Sequence, residues 1–399
     1  MKPASPGKVL RPPPGWRPQA ALGHYFPAIA EFGRRVDPEL RALETLLDSA
    51  EAIGRDTSLL RQALGEVRWR LQYTGDLAAA DAALARLRAA VALPDPPSGL
   101  VPDDDGSYGA GTHVWFLRLD ASVDPMLAAD FASERPPRFL DRVNHPPSLG
   151  RYLDSLVVSR LAEDGVDRRK ELNFATADLV RLILRRRPPG YRWDPRLETV
   201  IRDFLVRWQD PATGFFGADY EIAGERWRTV DLSMTFHMAR YLEGRIGHWP
   251  QLIDTLIEIR EDRYPNGWLD DNGLTNHNNY DVAVLFQLGW PQMRPAQRER
   301  AQHEIARLLS WCLERAIAAD GAIAARAAGE SLPESYYFAV AFLDTVGFFD
   351  SAKRFWTDRR FLEASALRTR LERQIRSLPP GDPMARMALN RLGRGPSAA

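Results

Sequence analysis

The amino-acid sequence predicts an all-α protein whose helical hairpins close into a ring with an inner and an outer layer, an α/α toroid. Two observations predict this fold. Apolar residues recur at helical spacing over most of the 399 residues. From about residue 148 onward, four segments repeat an amphipathic helix, a glycine-containing turn, a polar stretch and a helix that is apolar on nearly all sides. A helix that is apolar all round is a buried one, so the two kinds of helix belong to different layers.

The four repeats have similar lengths. Their amphipathic helices close at Gly165, Gly214, Gly267 and Gly321, so successive repeats are separated by 49, 53 and 54 residues. A repeat of this period is typical of stacked helical hairpins. An open solenoid would use the same units, but its two rows of helices normally differ less in burial, so the contrast favours a closed ring. The expected inner helices are "LNFATADLVRLILRR", "VDLSMTFHMARYLEG", "YDVAVLFQLGW" and "ESYYFAVAFLDTVGFF".

We expect three parts along the chain. The proline-rich residues 1–18 are expected to be disordered or extended, and 386–399 to be a disordered tail. Within the insertion, "THVWFLRLD" alternates weakly in hydrophobicity, and we interpret it as a short strand. A single toroid covers the remainder, 19–385, with helical hairpins in 19–95, a loop insertion in 96–147 and the repeated hairpins in 148–385.

The composition excludes several classes of protein. The 53 basic and 53 acidic residues cancel, which gives no electrostatic reason to expect nucleic acid or an anionic membrane as a partner. The lone cysteine, Cys312, rules out an intrachain disulfide framework and a cysteine-based zinc cluster. No apolar run approaches the ~20 residues of a membrane span, and no secretory signal is visible. We therefore expect a cytoplasmic protein without a cofactor or metal, whose oligomeric state stays open.

The segment "FLVRWQDPATGFFG" resembles the QW motif of the terpenoid cyclase and protein prenyltransferase toroids. Phe204, Leu205, Gln209 and Gly214 occupy the places of that motif, and Phe216 stands where the motif has tryptophan. "WCLERAIAADGAI" and "YPNGWL" are degenerate copies of the same pattern. The resemblance implies the toroid fold. It does not imply one activity, because the same toroid also hosts glycoside hydrolases, polysaccharide lyases and sugar epimerases.

Polar side chains collect at the N-terminal ends of the expected inner helices. Asp231 precedes one of them, "TNHNNYD" at 275–281 opens the next, and Glu334 lies at the start of the last. In a ring of hairpins these ends form one rim of a central cavity, which is where ligand sites tend to lie. The alternative for Asp231 and Glu334 is structural, since acidic residues at helix starts are ordinary caps.

Within this rim we predict residues for acid–base work and for binding. His277, Tyr280 and Asp281 are spaced i, i+3 and i+4, so they share one face if the helix already includes His277. His277 and Tyr280 are the expected acid and base groups, and Asp231, Asp281 and Glu334 are the expected carboxylates. The expected substrate-binding residues are nearby amides, cations and rings, with a core histidine as the alternative for His237: Asn276, Asn278, Asn279, Arg226, Arg228, Trp227, Trp268, Tyr336, Tyr337 and His237.

This inventory favours an enzyme that cleaves a glycan. A polysaccharide lyase needs an amide or cation to relieve the charge of a uronate carboxylate, together with a base and an acid such as His and Tyr. A glycoside hydrolase needs two carboxyl groups across the scissile bond. "NHNNYD" also resembles the Asn/His/Tyr clusters of toroidal alginate and chondroitin lyases, although with a different spacing.

Two other functions stay open. Class II terpenoid cyclases carry D-x-D-D before an inner helix, and the comparable place here, 278–281, has tyrosine instead of the central acid. A cyclase acting on an isoprenoid is therefore the first alternative, which would need walls that are almost wholly aromatic and aliphatic. A binding or scaffold protein without catalysis is the second. A metal at His277 and Asp281 would need a third ligand from another helix.

Overall fold

A computed structural model describes residues 9–13, 16–93, 101–128, 135–186, 188, 190–325, 330–378 and 382–393. These residues are mostly α-helical, as the sequence predicts. They form two compact units, the first comprising Met1–Trp208 and Gly217–Thr229 and the second Gln209–Phe216 and Val230–Ala399. That 19–385 form one toroid stays a prediction. The ends of the predicted extended N-terminus and tail, 1–8 and 394–399, lie outside the described residues.

The first unit contains nine α-helices within the described residues. Its N-terminal core lies between the second, third and fourth of them, where Ile29, Leu40, Val67 and Leu84 are buried. Asp76 caps the fourth helix by accepting a hydrogen bond from the backbone N–H of Ala79 at 2.9 Å. The helices are α1 (Pro18–Tyr25), α2 (Pro27–Ala52), α3 (Ser58–Tyr73), α4 (Leu77–Val91), α5 (Trp115–Leu127), α6 (Pro146–Leu156), α7 (Leu161–Asp164), α8 (Arg169–Val180) and α9 (Leu197–Trp208).

The first unit also contains a small sheet that the sequence did not predict. It consists of β1 (Val9–Leu10), β2 (Val158–Ser159), β3 (Asp219–Ile222) and β4 (Glu225–Arg228), in the order β1-β4-β3-β2. β3 and β4 are an antiparallel hairpin, whereas the outer pairs are parallel. The two turn residues of the hairpin, Ala223 and Gly224, both have positive φ. This is the conformation of a two-residue turn whose twist fits that of the flanking strands.

The predicted strand in "THVWFLRLD" is wrong. Residues 112–114 are irregular, and Trp115 begins helix α5 within the predicted loop insertion. The buried residues of α5 include Phe116, Leu119, Val123 and Met126, which follow the period of a helix. Alternation over a few residues could not distinguish the two structures, because the helical period becomes visible only over the longer segment. Residues 94–100 and 129–134 of that insertion lie outside the described part of the chain.

The second unit contains seven α-helices within the described residues. α12 packs against α10 on one side and α14 on the other, and α14 packs against α16. α11, α13 and α15 alternate with these in the chain and pack behind them. α12 and α14 are buried over most of their length, whereas α13 and α15 bury only one stripe, so the predicted contrast between buried and half-exposed helices is confirmed inside this unit. The helices are α10 (Leu232–Tyr241), α11 (Trp249–Glu258), α12 (Asn276–Gly289), α13 (Pro295–Trp311), α14 (Leu332–Thr345), α15 (Ala364–Arg376) and α16 (Pro383–Gly393).

Gln209 and Gly214 of the QW-like segment hold a turn in the second unit. The side-chain amide of Gln209 donates to the carbonyl oxygens of Gly214 and Gly247, each at 2.8 Å, and its oxygen accepts from the backbone N–H of Gly247 at 2.9 Å. Gly214 has a φ of +72°, and a Cβ there would lie 2.5 Å from the backbone nitrogen of Leu252. The glutamine and the glycine therefore have a structural role.

The predicted disordered tail is wrong for 386–393. These residues belong to α16, whose Ala385, Ala388 and Leu392 are buried. Their spacing of three and four residues forms an apolar stripe that packs on α14 and α15, and this burial offsets the entropy of ordering the chain end. Among the described residues, no helix is long and apolar enough to cross a membrane.

Candidate functional site

The polar segment 275–281 opens helix α12 in the second unit. Thr275 is the N-cap, and its hydroxyl accepts a hydrogen bond from the backbone N–H of Asn278 at 3.2 Å. The helix begins at Asn276, so it includes His277, and His277, Tyr280 and Asp281 have the helical spacing that the sequence predicts. Nearly every side chain of α12 is buried, so the polar groups of this segment lie inside the unit.

His277 is a half-buried imidazole with aromatic neighbours. Its ring stacks on Phe338, with centroids 3.9 Å apart and planes at 7°, and Tyr264 lies 6.2 Å away on another side. Desolvation by burial lowers the pKa of His277 to about 4, and Asp270 opposes this shift only in part. The imidazole is therefore neutral at pH 7.

Tyr280 is in contact with two cations. Nη2 of Arg391 donates a hydrogen bond to the phenolic oxygen at 3.1 Å, and the guanidinium carbons of Arg391 and Arg240 lie 5.4 and 5.9 Å from the ring centroid. Burial raises the pKa of Tyr280, whereas the two guanidinium groups oppose that shift. At neutral pH the phenol holds its proton beside a positive charge, so it can donate that proton to a leaving group.

Asp281 is a buried carboxyl group. Its side chain is 1% exposed, and Oδ1 has no hydrogen-bond partner among the described residues. Burial raises the pKa of Asp281 well above its ordinary value, and Arg240 only partly opposes this. Burial therefore favours the protonated form of Asp281 over the carboxylate.

The three asparagines at the start of α12 differ in their contacts. Asn278 donates from Nδ2 to the carbonyl oxygen of Trp268 at 2.8 Å, so its amide ties the helix to the preceding loop. Asn279 is fully buried, and neither atom of its amide has a partner in the described part of the chain. Oδ1 of Asn276 is also unpaired in those residues. Buried amides normally have hydrogen-bond partners, so these atoms are exceptions within the segment.

Asp231 and Glu334 lie at helix starts, as predicted. Asp231 is the N-cap of α10 and accepts a hydrogen bond from the backbone N–H of Met234 at 3.0 Å. Glu334 is half-buried in the first turn of α14, and burial raises the pKa of its carboxyl group. Asp231 therefore acts as the helix cap that was the structural alternative for it. The carboxyl group of Glu334 forms no side-chain ion pair among the described residues.

The predicted aromatic binding residues of the second unit are mostly buried. Trp268 is completely buried and lies under the guanidinium of Arg307, so neither of its faces is open. Tyr336 and Tyr337 are each 3% exposed, and Tyr337 meets the ring of Tyr280 edge-on at 6.4 Å. His237 is half-buried and stacks on Tyr241, with centroids 5.8 Å apart.

Arg226, Arg228 and Trp227 lie on strand β4 of the first unit. Both arginines bond the buried carboxylate of Asp219, at 2.7 Å from Nε of Arg226 and 2.6 Å from Nε of Arg228. Trp227 packs edge-on against Trp16, with ring centroids 5.5 Å apart. These residues stabilise the β-hairpin, and their guanidinium groups are engaged with a carboxylate of the same unit.

Sequence reasoning missed the two arginines that contact Tyr280. Arg240 lies on the otherwise apolar helix α10, and Arg391 lies in the segment that was predicted to be a disordered tail. A single arginine in an apolar helix was a visible signal for Arg240. No local signal pointed to Arg391, because its contact with Tyr280 joins positions 111 residues apart.

No protein-family model, no curated protein and no solved structure matches this chain. Among the described residues, no group of three or more His, Cys, Asp or Glu side chains is arranged to hold a metal ion. We call His277, Tyr280, Asp281, Arg240 and Arg391 the α12 cluster. It combines a neutral base, a protonated phenol and two fixed cations.

Proposed function

We propose that this chain is a carbohydrate-active enzyme that cleaves an acidic glycan by β-elimination at the α12 cluster. The observation that carries the proposal is the contact of the Tyr280 phenol with the Arg391 guanidinium at 3.1 Å, beside the neutral imidazole of His277. A lyase needs these three kinds of group, namely a base, an acid and a cation for the uronate carboxylate. An α/α toroid in a cytoplasmic protein is part of the same proposal.

The proposed reaction assigns one role to each group. His277 takes the proton from the carbon next to the uronate carboxylate, while Arg240 or Arg391 stabilises the negative charge that develops there. The electron pair left on that carbon forms the C4–C5 double bond, and the bond from C4 to the glycosidic oxygen breaks. Tyr280 donates its proton to that oxygen. The products are a shortened glycan and an unsaturated uronate.

Hydrolysis has less support at the same residues. A hydrolase requires two carboxyl groups that face each other across the bond. Asp231 is engaged as a helix cap, and the carboxyl group of Asp281 is buried. Glu334 alone does not supply the pair.

One observation favours the cyclase alternative. Tyr280 is surrounded by the rings of Phe236, Tyr337 and Phe338, at centroid distances between 5.5 and 6.4 Å, and aromatic walls suit an isoprenoid. The two guanidinium groups of the cluster oppose this alternative, because a carbocation intermediate would be repelled by them. A scaffold function without catalysis is the other alternative, and an absence of turnover on every glycan would favour it.

The test is a turnover assay on polymers of uronic acids and on neutral glycans, read by the ultraviolet absorbance of the unsaturated product. We expect absorbance to grow only with a uronate polymer. We expect His277→Gln and Tyr280→Phe each to lower kcat by about 10²-fold or more, the range for losing an acid–base group. The matched control is His303→Gln, because His303 is exposed on α13.

Three outcomes would contradict the proposal. New reducing ends without ultraviolet absorbance would indicate hydrolysis. A rise in melting temperature with prenyl diphosphates alone would support the cyclase, since a ligand that binds only the native state stabilises it. Full activity of both variants would show that the α12 cluster takes no part in the reaction.

A further inference from the structure

A cavity lies between helices α3 and α4 of the first unit, and the loop 110–113 also contributes to its lining. Its volume is about 190 Å³. Voids larger than a water molecule are few in protein interiors, so a space of this size is exceptional. For comparison, an apolar cavity of about 150 Å³ is large enough to bind benzene. The cavity therefore has room for a small organic molecule.

The walls that the two helices contribute are largely apolar, and several of their side chains are small. Leu60 and Ala63 line the cavity from α3, and Ala83 and Ala90 line it from α4. Residues three, four or seven positions apart share one face of a helix, so each pair belongs to a single helical face. The alanines leave space that larger side chains would fill. Apolar walls favour a ligand with an apolar body, because its burial removes hydrocarbon surface from water.

The polar part of the lining is organised around Glu66 of α3, which is 2% exposed. Its Oε1 accepts hydrogen bonds from Nε of Arg70 and Nη2 of Arg86, each at 2.9 Å. Its Oε2 accepts from the hydroxyl of Thr112 at 2.9 Å and from the backbone N–H of His113 at 2.7 Å. A carboxylate has about four lone-pair sites, so these four bonds leave none for a ligand.

The groups that remain available to a ligand beside Glu66 are donors with a net positive charge. Burial raises the pKa of Glu66, but the hydrogen bonds that it accepts offset this and lower the pKa overall, so Glu66 is ionised at pH 7. Two guanidinium groups around one carboxylate then leave positive charge in excess. Arg86 bonds Glu66 through Nη2, and its Nε and Nη1 have no hydrogen-bond partner in the described part of the chain. Its side chain is 44% exposed, so a ligand can reach it.

We propose that this cavity binds a small monocarboxylic acid whose apolar body is about the size of a benzene ring. The body lies among Leu60, Ala63 and Ala83, and the carboxylate accepts charge-assisted hydrogen bonds from the free N–H groups of Arg86. A ligand cation is disfavoured by the excess positive charge. The site is independent of the α12 cluster, since all its residues belong to the first unit.

The test is calorimetric titration of the intact chain with benzoate, benzamide, acetate and inorganic phosphate. We expect benzoate to bind, and benzamide, which has the same shape without the charge, to bind at least about tenfold more weakly. Acetate and phosphate carry charge but lack the ring, so they are also expected to bind at least about tenfold more weakly. These titrations require no variant to fold.

Each of the other results would overturn part or all of the proposal. Benzamide binding as tightly as benzoate would overturn the carboxylate. Acetate or phosphate binding as tightly as benzoate would overturn the apolar body. Absence of benzoate binding would overturn the site as a whole.

Two variants locate the ligand in the cavity. Ala83 is 3% exposed, so Ala83→Leu places its added atoms in the cavity and is expected to abolish benzoate binding. Ala85→Leu is the matched control, because Ala85 is exposed on the same helix, and it is expected to bind benzoate as the unmodified chain does. Unchanged binding in Ala83→Leu would overturn the location.

The role of Arg86 is tested by Arg86→Gln, which keeps an amide donor for Glu66 and removes the charge. We expect this variant to weaken benzoate binding at least about tenfold and to leave benzamide binding unchanged. Arg88→Gln is the matched control, since Arg88 bonds Glu39 at 2.7 Å and does not line the cavity. Equal affinities of the two variants for benzoate would overturn the assignment of Arg86.

Discussion

His277 shows how burial changes the chemistry of one residue. Its pKa in the folded chain is about 4, below the ordinary value near 6.5, so the unfolded chain binds the extra proton first on acidification. The contribution of a neutral His277 to stability is present above pH 6.5 and is lost as the pH falls toward 4. This pH window overlaps the range in which the proposed base would also lose activity.

We predict that the wild-type chain loses about 2 kcal/mol of unfolding free energy between pH 7 and pH 5 through His277 alone. His277→Phe keeps the contact with Phe338 and lacks the titrating group, so its unfolding free energy is expected to fall less over that range. Urea unfolding at the two pH values measures the difference. His303→Phe is the matched control, because His303 is exposed on α13. Equal pH dependence of wild type and His277→Phe would contradict the assignment.

Helix α16 shows how an element at the chain end completes a distant cluster. Its Arg391 bonds the hydroxyl of Tyr280 at 3.1 Å and pairs with Asp344 at 3.4 Å. A hydrogen bond that involves a charged group contributes roughly 1.5–3 kcal/mol. Removing Arg391 takes this donor from the buried hydroxyl of Tyr280, whereas Asp344 keeps its bond to Lys353 at 2.6 Å. The helix is thereby tied to α12 as well as to α14.

We predict that Arg391→Ala lowers the unfolding free energy by about 1–3 kcal/mol because of these lost contacts. Arg386→Ala on the same helix is the matched control, since Arg386 is exposed and is expected to change stability by less than about 0.5 kcal/mol. Thermal unfolding of both variants measures the contrast. Similar melting temperatures for the two variants would show that α16 is held by its apolar stripe alone.

At the scale of the whole molecule, the balance of charge governs solubility. The formal net charge is zero at pH 7, and the isoelectric point is near 7.1. Mutual repulsion between molecules is weakest at that pH, which promotes association. We predict a minimum of solubility near pH 7, measured by precipitation with polyethylene glycol between pH 5 and pH 9. A solubility that changes in one direction across that range would contradict the prediction.

Much of the fold could be predicted because it depends on short-range patterns. The apolar character of α12 and α14 and the polar residues at their starts are visible within some fifteen residues of sequence. The spacing of His277, Tyr280 and Asp281 on one helix was predictable for the same reason. The strand predicted in "THVWFLRLD" failed because the window was too short to separate a period of two from one of 3.6.

The sequence by itself determined which helices of the second unit are buried and which polar side chains lie near their starts, because periodicity and capping act between neighbouring residues. Only the tertiary structure decided the partners and the charge states of those side chains. It brought Arg240 and Arg391 to Tyr280, engaged Arg226 and Arg228 with Asp219, and desolvated His277. Long-range packing sets both the contacts and the dielectric environment, and neither is encoded in the spacing of residues along the chain.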